Sequence, residues 1–166
     1  QQERIQANRK RALDRRNSTK GGSSGNKGGG GIVYQRQISL ADAISTLVKG
    51  MDELLGGGIM PTDIVEIHGP SGSGKTQACH QLLAALVARQ PEASAVMLDT
   101  CRTFRTERVV EIAKQRCGFQ GDVPGLLSRI QYAKISTHAQ LVHYLSLLES
   151  CQKAALPRLV VVDSII

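Results

Sequence analysis

Aromatic side chains are nearly missing from this sequence: its 166 residues hold no Trp, three Tyr and two Phe. Gripping nucleic acid by stacking bases on aromatic platforms is therefore excluded as the principal device. Cysteines are few and widely set, with Cys79, Cys101, Cys117 and Cys151 lying 22, 16 and 34 residues apart. No C-x-x-C pair points to zinc and the spacing matches no disulfide framework, so free thiols in a reducing compartment are expected. Apolar stretches run for only a few residues, far short of the roughly 20 that cross a bilayer as a helix. The opening residues carry no secretory pattern. A soluble intracellular protein with no membrane partner is the expectation.

What the sequence holds in excess is basic charge, unevenly placed. The net charge is +7, from 21 Lys and Arg against 14 Asp and Glu. Residues 1–31 carry eight bases and two acids, or +6, and residues 32–166 carry thirteen and twelve, or +1. Attraction to a polyanion is then first a property of the N-terminal segment. That segment contains Asn8-Arg9-Lys10-Arg11 and Arg15-Arg16, and seven of the eleven residues at 21–31 are glycine. Such a composition buries too little surface to offset the entropy of ordering it. Residues 1–31 are accordingly read as a disordered basic, glycine-rich tail. A solvated arm is one reading of its charge; nuclear import or contact with DNA is the other. The first residue is Gln, so a beginning further upstream is expected.

From residue 32 onward strand and helix signals alternate, which argues for a parallel α/β sheet in a single domain. Asp63-Ile64-Val65-Glu66-Ile67-His68 reads as a strand ended by Gly69-Pro70. A helix is predicted from about Gly74 to Arg89, apolar at Ala78, Leu82, Leu83 and Leu86 and stopped before Pro91. Ala95 to Asp99 is a second strand, and a helix over 106–117 sets Val109, Ile112, Ala113 and Cys117 on one face. Ser128 to Ile135 forms another strand. Thr137 and Gln140 make a capping box for a helix with Leu141, Leu145 and Leu148 on its apolar face. Leu159 to Asp163 is a continuous apolar strand ending in a carboxylate, a pattern suited to a central strand covered on both faces.

Gly69-Pro70-Ser71-Gly72-Ser73-Gly74-Lys75-Thr76 satisfies the phosphate-loop pattern G-x-x-x-x-G-K-[ST] in full, between an apolar strand and an apolar helix as that motif requires. Neutral main-chain N–H groups surround a phosphate chain only where the loop wraps closely, and the glycines at 69, 72 and 74 permit this. The helix starting near Lys75 aims its unpaired N–H groups and positive dipole end at the same spot. Lys75 supplies a mobile charge for the β- and γ-phosphates, and Thr76 a hydroxyl for Mg²⁺. ATP with magnesium is the expected ligand. Asp163, at the end of an apolar strand 87 residues after Thr76, is where such proteins orient the metal shell. Thr76 and Asp163 are thus the candidate metal residues.

Four stretches carry a wider resemblance. Met51-Asp52-Glu53-Leu54-Leu55-Gly56-Gly57-Gly58-Ile59 is similar to L-D-x-L-L-G-G-G-I, and Glu66 to Gln77 to E-I-x-G…G-K-T-Q. Asp99-Thr100 with Thr103 to Arg108 is similar to D-T-E-G-T-F-R-P-E-R, and Leu159 to Ser164 to V-V-D-S. In this order they resemble the RecA/RadA-type recombinase family over residues 45–166, with the stretch from Arg108 to Leu148 most like its divergent paralogues. The resemblance implies a RecA-like, largely parallel sheet flanked by helices, with residues 32–166 as a partial ATP-binding core. It implies work on DNA in homologous recombination and repair, in the nucleus or else the cytoplasm, with other recombinase-type subunits as partners. By the same resemblance Gln77 and Arg108 join the nucleotide-binding residues, Arg108 lying against the adenine, where a planar guanidinium stacks well. An exposed helix charge is the alternative.

Three departures shape the expectation. The family's catalytic glutamate follows Asp-Thr directly; here Cys101 and Arg102 stand there, and a thiol is a poor general base. No residue is therefore assigned as catalytic, and binding is expected to outlast hydrolysis. No helical DNA-binding domain or aromatic polymerisation motif is visible, so self-assembly into a filament is not expected. Lastly, the family's core continues past Asp163 with further strands, one of which lies between the phosphate-loop strand and the aspartate strand. A fragment, a short splice form or an incomplete gene model is expected, with Leu159–Val162 bordering a gap.

The other polar residues carry less. His68, His80, His138 and His143 show no ligand spacing and read as packing or surface groups. Cys79 and Cys117 read as small core residues, and nothing in the sequence lowers the pKa of Cys101. Ser71 and Ser73 fit the loop and have no paired base. Alternatives to the paralogue reading are an active DNA-dependent ATPase or strand-exchange protein, and a small-molecule kinase, for which no lid is evident.

Overall fold

The structure, a computed structural model, describes residues 42–152 and 156–165. The expected tail, residues 1–31, lies outside the described residues. In chain order these form α1 (Lys49–Leu54), α2 (Lys75–Arg89), β1 (Ala95–Asp99), α3 (Thr106–Cys117), α4 (Val123–Leu127), β2 (Ile130–Lys134), α5 (His138–Ser150) and β3 (Leu159–Asp163). The sheet order is β2-β1-β3, all parallel. Ala95 stands opposite Ile130 and Leu159, and Asp99 opposite Lys134 and Asp163. Asp99 and Asp163 therefore end neighbouring strands at the same level.

β1 is wholly buried, and its alternation divides the core. Ala95 and Met97 meet Leu82, Leu83 and Leu86 of α2 together with Val161, Ile44 and Ile59. Val96 and Leu98 meet Ile135 and Leu141 on the opposite face, with Tyr144 and Leu148 of α5. The outer side of α2, Ala84 and Val87, packs on Val109, Ile112 and Ala113 of α3 and on Leu126. A helix sandwiched between the sheet and a second helix is buried nearly all round, which is why residues 82–87 of α2 are continuously apolar.

Most boundaries fall where the sequence placed them; four particulars differ. The central strand is Ala95–Asp99, and Leu159–Asp163 is an edge among the described residues, with Val160 38% exposed. Residues 63–68 form no ladder, and Ile64 is fully exposed. A strand exists only through the hydrogen bonds of a neighbour, and the strand expected at Asp63–His68 has the right residues but pairs with no strand among the described residues. In α5, the inward face is Leu141, Tyr144 and Leu148, while Leu145 is 43% exposed. The cap itself forms: Thr137 Oγ1 accepts the Gln140 N–H at 3.2 Å, and Gln140 Oε1 reaches back to the Ser136 N–H at 2.8 Å, one residue before the cap. α4 was not foreseen, although Asp122 with Pro124 two residues on is a helix-start signal; Asp122 Oδ2 accepts the Gly125 N–H at 2.8 Å.

The segment before the phosphate loop folds around Asp52. Its carboxylate accepts the Thr46 N–H and hydroxyl, both at 2.7 Å, and the Ser45 hydroxyl at 2.7 Å, while Ile44 and Ile59 exchange both main-chain bonds at 2.8 and 2.9 Å. Burial raises the Asp52 pKa, but the hydrogen bonds from Thr46 and Ser45 outweigh it and hold the group below its ordinary 3.8.

Leu83→Ala is expected to cost about 2–5 kcal/mol in urea unfolding, against under about 1 kcal/mol for the half-exposed Leu145→Ala. Because the folded pKa of Asp52 is depressed, its contribution is present above the unfolded value and lost as pH falls through the folded one. The stability gap between wild type and Asp52→Asn is therefore expected near neutral pH, closing on acidification below 3.8.

Candidate functional site

Gly74 is the N-cap of α2, with φ +93°, a left-handed conformation that L side chains rarely adopt. No side chain caps the helix and no acid stands in its first turn. The first N–H groups and the positive dipole end are thus offered to the space in front. That space is a cavity of about 290 Å³ lined by Ser71, Gly72, Gly74, Lys75, Thr76 and Gln77. Lys75 folds back over its own loop, and its ammonium donates to the carbonyls of Gly69 at 2.8 Å and Pro70 at 2.9 Å. Pro70 also accepts the Ser73 N–H at 3.2 Å. Gly69 is required for a different reason from Gly74: a Cβ there would lie 2.5 Å from Ser73 Oγ. The loop therefore closes on itself with its amides and one cation at the mouth, an arrangement fitted to an anion.

Arg108 and Asp163 do not line this cavity. Arg108 reaches its rim through Gln77, donating from Nε to Gln77 Oε1 at 2.9 Å, while Nη1 pairs with Glu111 Oε2 at 2.6 Å. Asp163 is 6% exposed and accepts the Thr103 hydroxyl at a long 3.4 Å. It lies close enough to Cys79 that, after burial, its charge is the second cause pushing that thiol up to about 12. Cys79 is three residues beyond Thr76 on α2, so Thr76, Cys79 and Asp163 share one side of the site. A hydroxyl and a carboxylate suit magnesium, which takes hard oxygen donors and keeps most of its shell as water and phosphate. No cluster of three His, Cys, Asp or Glu occurs among the described residues.

Asp99, the acid nearest to Cys101 in sequence, is fully buried and already engaged. Its oxygens accept main-chain N–H groups of Cys101 at 3.0 Å, Thr103 at 3.3 Å and Phe104 at 3.0 Å, and the Tyr132 phenol at 3.4 Å. It shapes the 100–104 turn. Cys101 is exposed; its Sγ lies 3.5 Å from Ser164 Oγ and 3.6 Å from Thr100 Oγ1. Hydrogen bonds from Ser164 first and Thr100 second lower its pKa. That perturbation was invisible in the sequence, because Ser164 is 63 residues away and arrives only by the pairing of β1 with β3. His80 was likewise read only as a packing or surface group; its place one turn beyond Thr76 was the available signal.

A parallel sheet in which two neighbouring strands end in level acids, beside a helix that opens uncapped from a glycine-rich loop, defines an α/β protein of the phosphate-loop pattern. Within that class the chain belongs to the Rad51 family, whose model matches residues 35–166. The RecA/RadA-type resemblance is thereby borne out, and with it a recombinase-like role in recombination and repair. Rad51-family recombinases use ATP with magnesium, bind DNA and work in multi-subunit assemblies. No helix among the described residues is long and apolar enough to cross a membrane.

At neutral pH Cys101 is expected to react with iodoacetamide well before Cys79, which burial keeps protonated and covered. Site-resolved mass spectrometry of a labelling time course checks this order.

Proposed function

We propose that this chain binds ATP with magnesium on Gly69, Pro70, Ser71, Gly72, Ser73, Gly74, Lys75, Thr76 and Gln77, with Arg108 on the base side. In this reading it serves as a paralogue-type subunit of a nuclear DNA-repair complex, in which the nucleotide is a structural and switching ligand. The observation that carries the binding is the uncapped, acid-free N-terminus of α2 with the Lys75 ammonium beside it. The slow turnover rests on the site behind it. Cys101 stands where the family's glutamate belongs, and the only neighbouring acid on that strand has its oxygens occupied by three main-chain N–H groups. No unengaged base is left on that turn to take a proton from water.

Thr76 and Asp163 would hold the metal, which when bound would neutralise charge on the phosphates. Gln77 and Arg108 meet the part of the nucleotide that leaves the cradle. Contact with DNA comes through the complex or through the basic residues of 1–20, and other recombinase-type subunits are the partners.

Titration calorimetry is expected to show saturable ATP binding that Lys75→Ala weakens about ten- to hundredfold, the worth of a charge-assisted pair of hydrogen bonds. Unchanged affinity in that variant removes the site. Turnover is expected to stay low with single-stranded DNA present. Stimulated hydrolysis that Asp163→Ala abolishes would replace the switching role with that of a DNA-dependent ATPase.

A further inference from the structure

His80 is the polar member of an otherwise apolar set of buried side chains on α2, and it is 2% exposed. Its Nδ1 lies 2.7 Å from the carbonyl oxygen of Thr76, one turn back on the same helix. Its Nε2 lies 3.0 Å from the main-chain N–H of Arg105, which precedes α3. A carbonyl only accepts and an amide only donates, so these partners assign the proton to Nδ1 and the lone pair to Nε2. The ring plane is held by Phe104, stacked at 5.4 Å and 12°, which is itself stacked on Tyr132 at 5.4 Å and 16°. Both ring nitrogens and one ring face are therefore engaged.

The two ends of this bridge belong to the two halves of the candidate site. Thr76 lies in the first turn of α2, whose amides and Lys75 front the cavity. Arg105 is the N-cap of α3 and has no side-chain cap of its own. Arg108, in the next turn, touches the cavity-lining Gln77. The Gln77–Arg108 contact is exposed, so water can replace it and a ligand can rearrange it. The His80–Arg105 contact is part-buried, its imidazole side being 2% exposed, so water replaces it less readily.

We propose that His80 is a positioning residue. Through Thr76 and Arg105 it holds the Arg108 turn at a set distance from the phosphate-holding turn, so that a base leaving the cradle finds the guanidinium in place. This rests on the nucleotide reading above. It assigns His80 no contact with the ligand; its effect falls on the base-dependent part of the affinity alone.

The test compares ATP with inorganic tripolyphosphate, each with magnesium, by titration calorimetry on the full chain. Tripolyphosphate reports the loop, and the ratio of the two affinities reports the base side. Arg108→Ala is expected to lower that ratio by about five- to tenfold, the worth of stacking on a guanidinium. His80→Leu, which fills the space and pairs with neither partner, is expected to lower it equally while tripolyphosphate affinity stays within about twofold. The double variant should fall no further than either single one, as groups acting in series do. His80→Gln, whose amide oxygen reaches the Arg105 N–H, should restore the ratio, and His80→Asn should not. Should His80→Leu fail to fold, the Gln and Asn variants carry the comparison.

An unchanged ratio in His80→Leu or His80→Asn, or an equal loss of both ligands, reduces His80 to a packing residue and overturns the proposal. A ratio that Arg108→Ala leaves intact overturns it at the other end of the bridge. If wild type binds neither ligand, the nucleotide reading itself fails, an outcome distinct from all of these.

Discussion

Burial of one strand on both of its faces is the constraint from which the rest follows. Ala95 and Met97 commit β1 to α2, while Val96 and Leu98 commit it to α5. With every side chain of β1 enclosed, neither neighbour can slip by a residue without turning apolar groups outward and polar groups in. The parallel register that results sets Asp99 and Asp163 level with each other. The turn after β1 is then drawn against the end of β3, where Thr100 donates its N–H to the Asp163 carbonyl at 2.8 Å and its hydroxyl to the Ser164 carbonyl at 2.9 Å.

α2 carries the other half of the architecture, and its two ends answer to different forces. Its middle is held by apolar contact with the sheet on one side and α3 on the other. Its N-terminus is left uncapped and faces the loop. Such an end is ordinarily a cost, since unpaired N–H groups look for partners. Here Lys75 bends over the loop carbonyls, and the first turn stays open to an anion. The packed middle keeps that open end rigid, which is what gives a loop of glycine and serine a defined shape.

The acids show how position decides role. Asp99 and Asp163 end equivalent strands, yet one is enclosed by N–H donors from its own following turn and the other meets a single distant hydroxyl. The first is architectural; the second keeps acceptor capacity toward α2. Cys101, between them in space, is tuned by hydroxyls from both strand ends. A family position occupied by a different residue thus becomes a different chemical object, through neighbours that come from distant parts of the chain.

Much of this was legible in the residues alone, for reasons of range. Helix periods, the Thr137 cap, the stop before Pro91 and the spacing of the phosphate loop are all set within a few residues, so α2, α3, α5, β1 and β3 could be located from local pattern. What tertiary structure alone decided were the matters of partnership. Residues 63–68 have strand composition but no ladder, because a strand exists only by its neighbour's hydrogen bonds. The tuning of Cys101 by Ser164 and the joining of His80 to Arg105 unite groups that chain order keeps apart. Their chemistry depends on distances of a few ångströms, which no spacing along the chain encodes.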